Sequence, residues 1–193
     1  MPPRPASYPL LRGIRSKPVT SSHPGESVAG AEGSMQDPKW LAGLRMLRKF
    51  DLSRDLRVPA WHLEEAAQVA GANPDIPVVL NHTGFPWDRS DAGLDLWRRG
   101  MKALAACEQV CCKLSCLCLR YGPCNYEGNR RIVLETIGIF GVDRCMFASN
   151  FPVDGLRVSY ERMFADFKRM TAGLSASDRR KLFHDNAARF YRI

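Results

Sequence analysis

The sequence predicts an α/β fold, a parallel sheet covered by helices. Short apolar runs alternate with segments of helical period through almost the whole chain. Runs such as "IPVVL" are apolar without alternation, as strands buried on both faces require. Capping residues and Gly or Pro stops punctuate the helical segments between them.

The first expected strand is "LLRGIR", residues 10–15. Residues 16–36, rich in Ser, Gly and Pro, follow as a long loop, well beyond the usual ~4–6 residue connection. Asp37-Pro38 then offers an N-cap and a proline at the first helical position, with Trp40, Leu41, Leu44 and Leu47 at helical spacing. "KFDLSRDL" reads as the second strand. The next helix buries Leu63, Ala66, Ala67 and Ala70 and is stopped by Gly71 and Pro74.

"IPVVLNHTG" is the third strand. A helix starting at Ser90 or Asp91 repeats Leu94, Trp97, Met101 and Leu104 on one face. "QVCCKLSCLCL" is the fourth strand, and "NRRIVLETIGIFG" its helix, ended by Gly141. "DRCMFASNFP" is the fifth strand. Two closing helices carry Tyr160, Met163, Phe164 and Phe167, then Leu182, Phe183, Asn186 and Phe190. The expected organisation is a loose segment at 1–9 and one domain over 10–193.

With 45% hydrophobic and 25% charged residues the composition is that of a globular chain. No apolar run reaches the ~20 residues of a membrane helix, and no signal-type apolar segment opens the chain. The expected location is therefore the cytoplasm, with no membrane partner. The net charge of +8 is scattered over helix faces, so nucleic acid is not expected; an anionic small-molecule substrate fits. Five of the seven cysteines lie between Cys107 and Cys118, where strand neighbours cannot easily bridge, so reduced thiols are expected.

Ligands of such sheets bind at the carboxyl ends of the strands. By strand alternation His82 ends the row of Val78 and Leu80, where it could bind a metal or act as acid, base or electrophile. A hydrogen bond to a neighbouring loop explains it equally well. Lys113 sits mid-strand in an apolar run, as a substrate clamp, a pKa-shifted amine or the partner of a carboxylate, with Asp51 a candidate. Asn150 ends the fifth strand, and Asp154, four residues on, is the nearest carboxylate. Arg12 and Arg15 flank Gly13 and could hold an anion, or pair with local acids. Trp87 and Arg89, in the loop after His82, are further substrate-contact candidates. His23, His62 and His184 read as structural or solvated.

In their order, "LLRGIR", "KFDLSRDL", "VVLNHTGFPWDRS", "CCKLSCL", "DRCMFASNFPVD" and "LFHDNAARFYRI" resemble amidohydrolase-related TIM-barrel hydrolases, the branch holding sugar and aromatic-acid lactonases. The resemblance implies strands four to eight of an eight-stranded barrel. It places His82 at the strand-six histidine, Lys113 at the lysine of a Lys-x-Ser-Gly block, and Asn150 at the strand-eight acid. A zinc-type divalent metal is also implied, with His82 as ligand, although the His-x-His pair of strand one is missing. Cys116 stands where the block has glycine. A full barrel takes about 250 residues, so self-association or pairing with a full-length homologue is expected.

The resulting expectation is a hydrolase. His82, Asp154 and Lys113 would be catalytic; Arg12, Arg15, Asn150, Trp87 and Arg89 would bind a small carboxylate-bearing lactone, ester or amide. The alternative is a truncated, non-catalytic homologue that acts by binding.

Overall fold

The computed structural model describes residues 8–119, 122 and 124–193; most of the segment expected to be loose at 1–9 lies outside the described residues. Five parallel strands form one sheet in sequence order. They are β1 (Gly13–Ile14), β2 (Ser53–Leu56), β3 (Val78–Leu80), β4 (Val110–Leu114) and β5 (Cys145–Phe147). Gly13 pairs with Ser53, Arg54 with Val78, Val78 with Val110, and Cys112 with Cys145. Each strand is shorter than the apolar run that announced it.

The helices follow as read. In α1 (Pro38–Lys49) the Asp37 carboxylate accepts from the Lys39 N–H and caps the first turn. Then come α2 (Leu63–Gly71), α3 (Asp91–Ala105, capped by Ser90), α4 (Tyr126–Phe140, capped by Asn125) and α5 (Tyr160–Met170). The last helical stretch is α6 (Ala176–Arg180), a π-helical turn over Lys181–Asp185, and α7 (Asn186–Tyr191).

Strand side chains divide by face. Leu56, Val78, Leu80, Val110, Cys112, Leu114 and Cys145 are buried in one core with Leu94, Trp97, Met101, Leu104, Ile132 and Val133 of the helices. Gly100 allows α3 to close on α2, since a Cβ there would lie 2.4 Å from the Leu63 Cβ. The alternate row, with Asp55, Val79, Cys111, Lys113 and Met146, faces the other way. On that side Tyr191 of α7 packs over Lys113, whose Nζ lies 5.2 Å from its ring centre, and its hydroxyl reaches Asp55 at 3.5 Å.

No described helix is long and apolar enough to cross a membrane. The 16–36 segment contains turns but no helix or strand. It is held from beneath by His62, whose Nε2 accepts the Ser21 N–H at 3.0 Å while Nδ1 contacts Glu65 Oε2 at 2.6 Å. Glu65 also accepts from Gln36, so one His–Glu pair ties down both ends of the loop.

Candidate active site

The strand exits converge on one cleft of about 930 Å³. Arg15 and Lys17 follow β1, Arg57 follows β2, His82, Phe85 and Trp87 follow β3, Cys116 and Leu119 follow β4, and Asn150, Val153, Asp154 and Leu156 follow β5.

His82 reaches the cleft by a route alternation did not foresee. The strand stops at Leu80, and His82, Thr83, Gly84 and Phe85 all adopt left-handed backbone, with φ of 62°, 51°, 66° and 53°. The imidazole therefore leaves the helix-facing row of Val78 and Leu80. Such backbone is unfavourable for the β-branched Thr83, and strain of this kind clusters at functional sites. The surroundings hold it in place: the Trp97 indole N–H donates to the Thr83 carbonyl at 2.7 Å. Any side chain at Gly84 would press on Leu63 at 2.9 Å and Met101 at 3.1 Å.

His82 Nδ1 lies 2.9 Å from the Ser115 hydroxyl, and the ring meets Phe85 edge-on with centroids 5.0 Å apart. Burial first, then Arg15, Arg57 and Lys113, pull its pKa down to about 4. The imidazole is thus neutral at pH 7.

Asp154 is 5% exposed, and its Oδ1 accepts from Asn150 Nδ2 at 2.9 Å. Burial raises its pKa, and this outweighs the hydrogen bonds from Asn150 and the Cys116 backbone. Asn150 and Cys116 are themselves left-handed, at φ 54° and 55°. A glycine, as in the Lys-x-Ser-Gly pattern, would take the Cys116 conformation without strain. Burial pushes the Cys116 thiol up to about 11, so it is protonated at neutral pH.

Lys113 does not line the cleft. Its Nζ lies 3.2 Å from Asp55 Oδ2, an oxygen that also accepts from Arg15 Nη2 at 3.0 Å. Burial lowers the ammonium pKa, countered by Asp55. Lys113, Asp55 and Arg15 form a charge relay, and Asn81 Oδ1 accepts from Arg15 at 3.4 Å. The carboxylate that partners Lys113 is therefore Asp55. Asp51 instead pairs with Arg192, because it lies before β2, at the opposite end of the sheet.

Two arginines expected in the site lie elsewhere. Arg12 precedes β1 and donates to the carbonyls of Tyr191, at 3.0 Å, and Pro9, which anchors the chain end. Arg89 donates to the carbonyls of Gly128 and Leu117 at 3.3 Å, which fastens the β3 loop to α4. Lys17 and Arg57 were not expected in the site, since neither lies within a strand; their signal is a position three residues past the end of β1 and one past the end of β2. The cysteine expectation also needs correcting. Cys118 and Cys124, which follow β4 and are not strand neighbours, are joined by a disulfide, with their Cα atoms 4.7 Å apart. Cys107, Cys111, Cys112, Cys116 and Cys145 are free.

A divalent cation is poorly served by these residues. Among the described residues no three His, Cys, Asp or Glu side chains are grouped to hold one. His82 has one nitrogen occupied by Ser115, the Cys116 thiol is protonated, and Arg15, Arg57 and Lys113 supply like charge. The donor set does not fit a metal, and no chemistry is assigned through one.

A family profile described as Amidohydrolase matches residues 7–193. The chain is 40% identical over 186 residues to the uncharacterized protein y4mH of Sinorhizobium fredii, covering 96% of this chain and 62% of that one. It is 29% identical to an L-fucono-1,5-lactonase of Burkholderia multivorans over 95% of this chain and 63% of the relative. An amidohydrolase crystal structure from Burkholderia multivorans superposes with a TM-score of 0.81 at 28% identity, covering 95% of this chain and 65% of that chain. Another crystal form of it, at 27% identity, contains bound zinc. The chain thus spans 62–63% of the length of these curated relatives. Its five β/α units correspond to part of a barrel.

Proposed function

The chain belongs to the amidohydrolase family, and from that premise we propose that it hydrolyses a small carboxylate-bearing lactone, or a related ester or amide, by attack of water on the carbonyl. The observation that carries this reading is the pairing of a buried, raised-pKa carboxylate, Asp154, with a cation-rich cleft. The lactonase among its relatives supports a lactone ring ester as the reacting group.

Asp154 takes a proton from the attacking water as its oxygen bonds to the carbonyl carbon and the C=O π electrons move to the oxyanion. On collapse the C–O (or C–N) bond breaks and Asp154 returns the proton to the leaving oxygen or nitrogen. A carboxylate held above its ordinary pKa is a stronger base than a solvated one. Asn150 holds the carboxylate oriented but cannot take the proton itself. Arg15, Lys17 and Arg57 bind the substrate carboxylate. With the Ser115 hydroxyl donating to Nδ1, the neutral imidazole presents its Nε2–H to the developing oxyanion. Lys113 acts on Arg15 through Asp55, as a positioning residue.

Asp154→Asn keeps the shape and removes the base. Assayed against a panel of carboxylated lactones, it should lose about 10²–10⁴-fold in kcat. At pH 7 the same variant should melt higher than the wild type. The folded-state pKa of Asp154 is raised, so its ionised form weakens the fold above that pKa and costs nothing below the ordinary carboxylate value. Undiminished turnover would rule Asp154 out as the base.

A further inference from the structure

The cleft is sorted by charge along the order of the strands. Three of its four lining cations, Arg15, Lys17 and Arg57, come from the β1 and β2 exits, whereas Trp87, Leu119, Val153 and Leu156 come from β3, β4 and β5, beside Asn150 and Asp154. Arg157 also lies on the apolar side, where it is already engaged.

The apolar side has a defined geometry. Rings run from the floor to the mouth: His82 against Phe85 at 5.0 Å, then Phe85 against Trp87 at 4.6 Å, with the Arg57 guanidinium 4.9 Å above the Phe85 ring. Trp87 is 45% exposed, and Val153 and Leu156, which line the same cleft after β5, are 60% and 83% exposed. Large apolar side chains gathered exposed around one cavity mark a binding surface. The cavity volume sits at the upper end of the ~300–1,000 Å³ of small-molecule sites. A single carboxylated ring would leave much of it empty.

We propose that the substrate has two parts. A carboxylate-bearing reactive ring lies at the floor, towards Arg15 and Arg57. An apolar, preferably aromatic, substituent lies on Trp87 against Val153 and Leu156. The inference rests on the hydrolase reading for the reactive part only; the recognition of an amphiphilic carboxylate stands on the cleft itself. The exposed Val153 and Leu156 and the adjacent Leu119 offer no hydrogen-bonding side-chain atoms, so this part of the wall disfavours the hydroxyls of a sugar acid.

The test uses unreactive probes with the intact chain: butyrate, 4-phenylbutyrate and gluconate, titrated calorimetrically. The phenyl probe should bind at least tenfold more tightly than butyrate, and gluconate no better than butyrate. Trp87→Ala and Leu156→Ala should each shrink the gap between the first two probes. Leu156 is almost fully exposed, so its loss leaves the core intact. Equal affinity of phenylbutyrate and butyrate, or preference for gluconate, overturns the inference. A phenyl advantage with no lactone turned over removes the hydrolase reading and keeps this one; turnover without the advantage does the reverse.

Discussion

His82 and Arg54 are both buried basic groups whose pKa falls, and they burden the fold differently. Burial takes the His82 imidazole from 6.5 to about 4. A base with a depressed folded-state pKa leaves stability intact above the unfolded value and erodes it as pH falls from there towards the folded one. His82 should therefore cost roughly 3 kcal/mol between pH 6.5 and 4. His82→Asn, which tolerates left-handed backbone, should flatten this acid loss in denaturant titrations at stepped pH. An unchanged slope would mean the imidazole is not neutral in the fold. Arg54 is 2% exposed, lies 4.5 Å from the Trp40 ring centre, and its Nε and Nη2 have no hydrogen-bond partner among the described residues. Burial lowers its pKa to about 10, so it stays charged at pH 7 and the cost is present throughout the neutral range. Arg54→Met should stabilise by about 1–3 kcal/mol, independent of pH from 5 to 8. A loss of stability would show that the stacking on Trp40 outweighs desolvation. Neither environment could be read from the sequence, because burial of a single side chain depends on what the distant helices bring to it.

At the scale of elements, periodicity revealed much. The inward residues of α2 and α3 matched, since Leu63, Leu94, Trp97, Met101 and Leu104 meet one continuous core. Capping by Asp37 and Ser90 was equally legible, because it depends only on neighbours in the chain. Strand exits were not. Alternation assumes extended backbone, and the left-handed turns at His82, Cys116 and Asn150 break it at the positions that build the cleft. His62 is structural, as its helical context suggests, but its partners Ser21 and Glu65 were not legible, because they belong to different elements. Ser21, His62 and Glu65 have the outline of a hydrolytic triad. The Ser21 hydroxyl, however, donates to the His23 carbonyl at 3.0 Å and accepts from the Trp61 indole, so it serves as an anchor. Loss of such buried hydrogen bonds costs about 1–3 kcal/mol each. His62→Ala should release the 16–36 loop and speed cleavage by a Glu-specific protease at exposed Glu26 and Glu32 at least tenfold. Equal cleavage rates would show that the loop is held by other contacts.

Across the whole molecule, five parallel units in sequence order bring their carboxyl ends to one side, so residues far apart in the chain share a cleft. That convergence followed from the repeating strand–helix pattern alone. The pairing of Lys113 with Asp55 did not, since it depends on strand register. The cleft is one electrostatic unit, in which burial, with the cations beside it, keeps His82 neutral and burial makes Asp154 a stronger base. The most direct test is the pH dependence of kcat/KM for a carboxylated lactone between pH 4 and 8. One rise is expected as Asp154 ionises, at a pH above the ordinary carboxylate value, and it should persist in His82→Asn and be lost in Asp154→Asn. A rise kept in Asp154→Asn and lost in His82→Asn would mean that the imidazole governs turnover, and would contradict this assignment.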